Sequence, residues 1–114
     1  MPPIAPQPEL REYLTQNGKS PFADWLTSLK DIKTRAIVRV RLDRLRLGNW
    51  GDCKSVGEGV QELRIDFGPG YRVYLGQEGD VVILLLCGGS KKSQSKDIEK
   101  ANQYWHDYQE RIHG

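Results

Sequence analysis

Apolar and polar residues alternate along 60–67 and again along 71–77, and 81–87 is then apolar throughout. Alternation marks strands with one face covered, whereas an unbroken VVILLLC suits a central strand buried on both faces. The pattern therefore predicts three strands. Gly68-Pro69-Gly70 joins the first two and Glu78-Gly79-Asp80 the last two, so consecutive antiparallel pairing is the economical topology. Elsewhere the period lengthens. Ser20-Pro21 has the form of an N-cap followed by a first-turn proline. It opens a helix through Leu29 with Phe22, Trp25, Leu26 and Leu29 on one face. A last helix over 96–112, capped by Ser95, carries Ile98, Ala101, Trp105, Tyr108 and Ile112 as its stripe.

The segment 31–47, with Asp31 as its cap and Gly48-Asn49 as its stop, has two apolar stripes instead of one. Ile32, Ala36, Val40 and Leu47, with Ile37 at the margin, form the first. Val38, Leu42 and Leu45 form the second, nearly opposite. Arg35, Arg39 and Arg46 line a groove between them. Such a helix is expected to be sandwiched. One stripe meets the sheet and the other meets the first helix or a partner protein. Val38, Leu42 and Leu45 are candidates for core, for an inter-helix seam or for a partner contact. Residues 9–16 fit an edge strand or a short helix, 49–59 has the glycines of a surface loop, and the proline-bearing stretch 1–8 is expected to be loosely held. The fold class is α+β: a small antiparallel sheet with two N-terminal helices and a C-terminal helix packed on it, in one domain over 1–114.

Composition adds little to this picture, but the placement of charge adds more. The 114 residues suffice for one modest core, and the formal net charge is only +2. Yet 30–46 holds seven basic residues against Asp31 and Asp43, which favours an anionic partner. The start lacks a basic segment followed by an apolar one, so no leader is expected. The apolar run is too short to cross a bilayer, and a cytoplasmic protein is expected. Cys53 and Cys87 show no paired-cysteine spacing and His106 and His113 lie near the C-terminus, so neither a metal site nor another cofactor is expected.

Strand alternation also brings candidate chemistry to one face. Leu63, Ile65 and Phe67 point to the core, leaving Glu62, Arg64 and Asp66 on the other side. Tyr71, Val73 and Leu75 leave Arg72 and Tyr74 there. A three-residue loop at Gly68-Pro69-Gly70 would pair Phe67 with Tyr71, Asp66 with Arg72 and Arg64 with Tyr74. Lys91 and Lys92, just beyond Gly88-Gly89, and Lys54 from the preceding loop are within range of that face. Metal-free RNA cleavage needs a base for the 2′-hydroxyl, a cation at the phosphate and a proton donor for the leaving oxygen. Arginine supplies the second, and a lysine or tyrosine with a lowered pKa in a cationic cluster can exchange protons. The competing reading is a solvated surface with cross-strand ion pairs of small energy.

The blocks PFADWLTSL, RVRLDRLRLGNWGD, GVQELRIDFGPGYRVY and LLCGGSKKSQSKDIEKANQYW, in that order over roughly 9–111, resemble the RelE/ParE superfamily of toxins, in particular its HigB-like branch of addiction-module killer proteins. The resemblance implies the toxin of a bacterial type II toxin–antitoxin pair. It implies a metal-independent, ribosome-dependent mRNA endoribonuclease with no cofactor. The partners it implies are mRNA, the ribosome and a cognate antitoxin, a helix-turn-helix protein from the adjacent gene, through which the toxin contacts promoter DNA indirectly. Carried over, Arg64, Arg72, Lys91 and Lys92 are candidate catalytic residues and Lys54 a candidate RNA-binding one. The strand face adds Tyr74 to the first set, and the groove of Arg35, Arg39 and Arg46, which also suits a solubilising face or an acidic partner, adds those three to the second. The tyrosine or histidine that many such nucleases hold near the C-terminus has no counterpart before Tyr104 and His106, which leaves Tyr74, a lysine or Glu62 as base. Two other functions stay open: a ParE-type inhibitor of DNA gyrase, and a non-enzymatic module that binds an antitoxin or nucleic acid.

Overall fold

The computed structural model describes residues 7–79 and 82–113. The expected loose start lies mostly outside them, as do Asp80 and Val81 of the last hairpin. Five strands form one sheet in the order β1-β5-β4-β3-β2: β1 (Glu9–Glu12), β2 (Cys53–Gly57), β3 (Val60–Ile65), β4 (Tyr71–Glu78) and β5 (Val82–Ser90). All neighbours are antiparallel except β1, which runs parallel to β5. Helices α1 (Pro21–Ser28) and α2 (Ile32–Arg46) come between β1 and β2. After β5 a short 3-10 turn, Lys91–Ser93, leads into α3 (Gln94–His113). This is the expected α+β class.

Both caps of the helical hairpin are those that the sequence predicts. Ser20 Oγ accepts from the Ala23 amide at 3.0 Å, and Asp31 Oδ1 from the Lys33 amide at 3.0 Å. Of the two stripes on α2, Val38, Leu42 and Leu45 are the buried one. With Phe22 and Leu26 of α1 they pack on Leu63, Ile65, Val73, Leu75, Ile83 and Leu85, which makes them core. The opposite sheet face holds Val60, Tyr74, Leu84, Leu86 and Cys87 beneath Ala101 and Trp105 of α3. The run from Val82 to Cys87 is buried throughout, as expected of a central strand covered on both sides.

Four local expectations need correcting. Residues 49–59 are not all loop, because β2 pairs with β3 through a two-residue turn in which Glu58 and Gly59 both have positive φ (56° and 88°). The turn glycines there are those of a hairpin. The β3–β4 loop has five residues, so Ile65 pairs with Tyr71, Arg64 with Arg72 and Glu62 with Tyr74. The register has slipped by two from the predicted one, which preserves every residue's face. Ser95 lies inside α3 and caps nothing; Ser90 opens the turn that feeds the helix. Finally, β5 continues through Gly88-Gly89 to Ser90.

That glycine pair is built for close approach on both faces. A methyl group at Gly88 would collide with the Trp25 ring, and one at Gly89 with the Asp97 carboxylate. Gly76 leaves room for the Trp105 ring in the same way.

Candidate anion-binding site

The register places Lys54, Glu62, Arg64, Arg72 and Tyr74 on the sheet face beneath the start of α3, with Lys54 directly across from Glu62. Glu62 is the centre of this group and is completely buried. Its Oε1 accepts from Arg64 Nε at 2.9 Å and lies 3.8 Å from Arg72 Nη1. Its Oε2 accepts from Tyr74 Oη at 3.1 Å and from Gln94 Nε2 at 2.8 Å. A buried carboxylate is costly unless paired and hydrogen-bonded, and here four side chains from three elements meet that need. Burial alone would raise the Glu62 pKa. Hydrogen bonds from Arg64, Gln94 and Tyr74, together with the Arg72 charge, outweigh it and hold the carboxyl below its ordinary value.

Tyr74 departs from what its spacing predicts. It is fully buried, and burial and the Glu62 charge together push its pKa strongly up. A phenol tuned this way keeps its proton, so its expected part as a proton exchanger is replaced by a structural one: it donates to Glu62. Alternation correctly gave the face of Tyr74 but not that α3 would cover it.

Arg64 and Arg72 remain at the edge of the covered region, with side chains 31% and 11% exposed. Together with Lys91 they line an open cleft of about 320 Å³, whose walls include Asp52, Asp66 and the loop Gly68-Pro69-Gly70. Lys91 is brought there by its backbone, whose amide donates to the Gly70 carbonyl at 3.0 Å. Lys92 is exposed on the same turn but does not line the cleft. The end of β3 is fixed from the other side by α2, where Arg41 Nη1 donates to the Arg64 carbonyl at 2.7 Å. One donor is left over. Arg72 Nε is buried and has no hydrogen-bond partner among the described residues. Such an orphan costs about 1–3 kcal/mol, and a bound anion would supply its acceptor.

Arg35, Arg39 and Arg46 belong to a different place. They sit on α2, the helix packed on the other face of the sheet. Arg35 Nη1 donates to the Leu29 carbonyl at 3.1 Å. Arg39 and Arg46 edge a groove of about 420 Å³ with Glu12, Asp43 and side chains of α1 and β1. The expected single RNA-binding set is therefore split, with Lys54 on one face and the three arginines on the other.

Four residues of the site lay outside the sequence reading: Asp52, Gln94, Ser93 and Asp97. Ser93 Oγ donates to Asp97 Oδ2 at 2.5 Å, and Asp97 lies against Gly89, the strand neighbour of Arg72. Two adjacent glycines late in a buried strand were the available signal for this approach. Gln94 had none. The thiols are both free. Burial and nearby Asp97 push Cys87 up to about 12, so it is not a nucleophile. His106 is an exposed residue paired with Glu110 at 3.0 Å. Among the described residues no helix is long and apolar enough to cross a membrane.

No protein-family model matches the chain. It is similar to an uncharacterized protein of Haemophilus influenzae (strain ATCC 51907 / DSM 11121 / KW20 / Rd), with 51% identity over 80 residues. These make up 70% of this chain and 81% of that protein. The chain belongs to the same family as that protein.

Proposed function

We propose that the chain is the toxin of a type II toxin–antitoxin pair and cleaves mRNA on the ribosome without a metal, held in check by a helix-turn-helix antitoxin encoded next to it. The observation that carries this reading is the buried Arg72 Nε without a partner, at the edge of a cleft that Arg64 and Lys91 also line. Three cations from separate elements around one opening suit a phosphate, and the guanidinium fork matches its oxygens. The resemblance to HigB-like toxins supplies the substrate class.

In this reading Arg72 and Arg64 hold the scissile phosphate and neutralise the charge that develops on it. Lys91 protonates the leaving 5′ oxygen, while Lys54 and Lys92 guide the strand towards the cleft. The 2′-oxygen attacks phosphorus as the bond to the 5′ oxygen breaks, leaving a cyclic phosphate and a free hydroxyl. Asp52 and Asp66 are the carboxylates at the opening, and one of them accepts the 2′-hydroxyl proton. Glu62 and Tyr74 are positioning residues, because both are buried and committed to each other.

Induction in bacteria tests the reading. The wild-type chain should arrest growth and cut mRNA within codons, and Arg72→Ala should lower cleavage by about 100-fold or more. A variant as toxic as wild type would remove Arg72 from the site. Intact mRNA with gyrase-linked DNA breaks would select the gyrase inhibitor instead. Normal growth without the antitoxin would select the non-enzymatic module.

A further inference from the structure

The stripe of α2 that the core does not use is still apolar. Ile32 is 73% exposed, Val40 46% and Leu47, just past the helix end, 69%; these are three of the five large exposed hydrophobics among the described residues. Ala36 lies between Ile32 and Val40 in the same i, i+4 row. One flank of this row carries Lys33, Arg41 and Arg44, which with Ala36, Ile37 and Val40 line a shallow groove of about 310 Å³. The other flank carries Arg35, Arg39 and Arg46. Asp43 is the acid on this exposed half of the helix, and none of the six cations is in an ion pair among the described residues. Arg41 is held in place by its bonds to the Arg64 and Trp50 carbonyls, at 2.7 and 3.3 Å.

We infer that this face of α2 is a docking surface for an acidic amphipathic helix of a partner protein. The apolar row would receive the helix's apolar face, and the basic flanks its carboxylates. A second copy of the chain fits poorly, because a two-fold contact through this row would set each basic flank against its own kind. A nucleic acid would meet the flanks but leave Ile32 and Val40 uncovered. The inference does not rest on the nuclease reading, since the cleft with Arg72 lies on the opposite side of the sheet.

The test uses a fluorescent synthetic peptide of about 20 residues with leucines at i, i+3, i+4 and i+7 and glutamates beside them. Its comparators are polyglutamate of equal length and a single-stranded RNA. The full chain should bind the peptide at least about tenfold more tightly than polyglutamate. Val40→Asp should weaken that binding about tenfold, as should Lys33→Glu combined with Arg44→Glu, while Arg72→Ala leaves it unchanged. All of these positions except Arg72 are outside the core, and thermal melting confirms that each variant folds. Equal binding of peptide and polyglutamate would overturn the inference. So would indifference to Val40→Asp, RNA binding that Val40→Asp abolishes, or a dimer of the wild-type chain that Val40→Asp separates.

Discussion

The two faces of the sheet solve the same problem by different means. Towards α1 and α2, Leu63, Ile65, Val73 and Leu75 are buried by leucine, valine and aromatic side chains, and attraction there is non-directional. Towards α3, the same strands present Glu62, Arg64, Arg72 and Tyr74, and burial there is stable because Arg64, Tyr74 and Gln94 all donate to the one buried carboxylate, with Arg72 Nε left over among the described residues. The first face tolerates changes of shape at moderate cost. The second holds two arginines at the edge of a cleft with fixed geometry, at the risk that one missing partner strands a charge. The difference separates a face that holds the protein together from one that orients groups for a ligand.

Removing Glu62 is the most damaging way to probe that difference. Glu62→Ala leaves two guanidinium groups, a phenol and an amide without their common acceptor, and should cost about 3–5 kcal/mol of stability in denaturant unfolding. It should also abolish RNA cleavage in whatever fraction stays folded, because Arg64 and Arg72 lose their anchor. Leu45→Ala, on the apolar face, should cost about 3 kcal/mol through the cavity it leaves, yet preserve cleavage per folded molecule. Equal losses of activity in both variants would erase the proposed division between the faces.

A smaller effect comes from pH. The folded Glu62 carboxyl lies below its ordinary value of 4.5, so its contribution to stability is complete above that pH and disappears as pH falls through the folded-state value. Glu62→Gln should therefore flatten part of the acid limb of the stability curve. Asp107, held down by Tyr13 and Arg111, continues to contribute to it. Leu45→Ala should keep the full slope while lowering the curve. An unchanged acid limb in Glu62→Gln would mean that the carboxylate is not the titrating group.

Much of this was legible in the sequence, and the misses have a common cause. Periodicity identified three of the five strands, all three helices and the faces of Arg64, Arg72 and Tyr74, because these follow from local spacing. It placed the two stripes of α2 correctly but could not say which one the sheet would take. It missed β2, whose CKSVG is short and edged by turn glycines, and it misjudged how deep Tyr74 and Glu62 would lie. Burial depends on what is laid over a face, and α3 arrives there from some thirty residues further along the chain. The groove arginines lie apart from Lys54 for the same reason: shared charge gave no information about which side of the sheet they would occupy.

The parallel pairing of β1 with β5 has a consequence for how the chain acquires its structure. Glu9 faces Val82, a separation of more than seventy residues, whereas β3, β4 and β5 are linked by short turns. Closing the longer loop costs more chain entropy and brings no return until its partner strand exists. The first strand is therefore expected to dock after the hairpins have assembled. Leu10 packs beside the helical core once that strand is in place, and is expected to be open to other partners until then. Of the five strands, the first in chain order is then among the last to find its place.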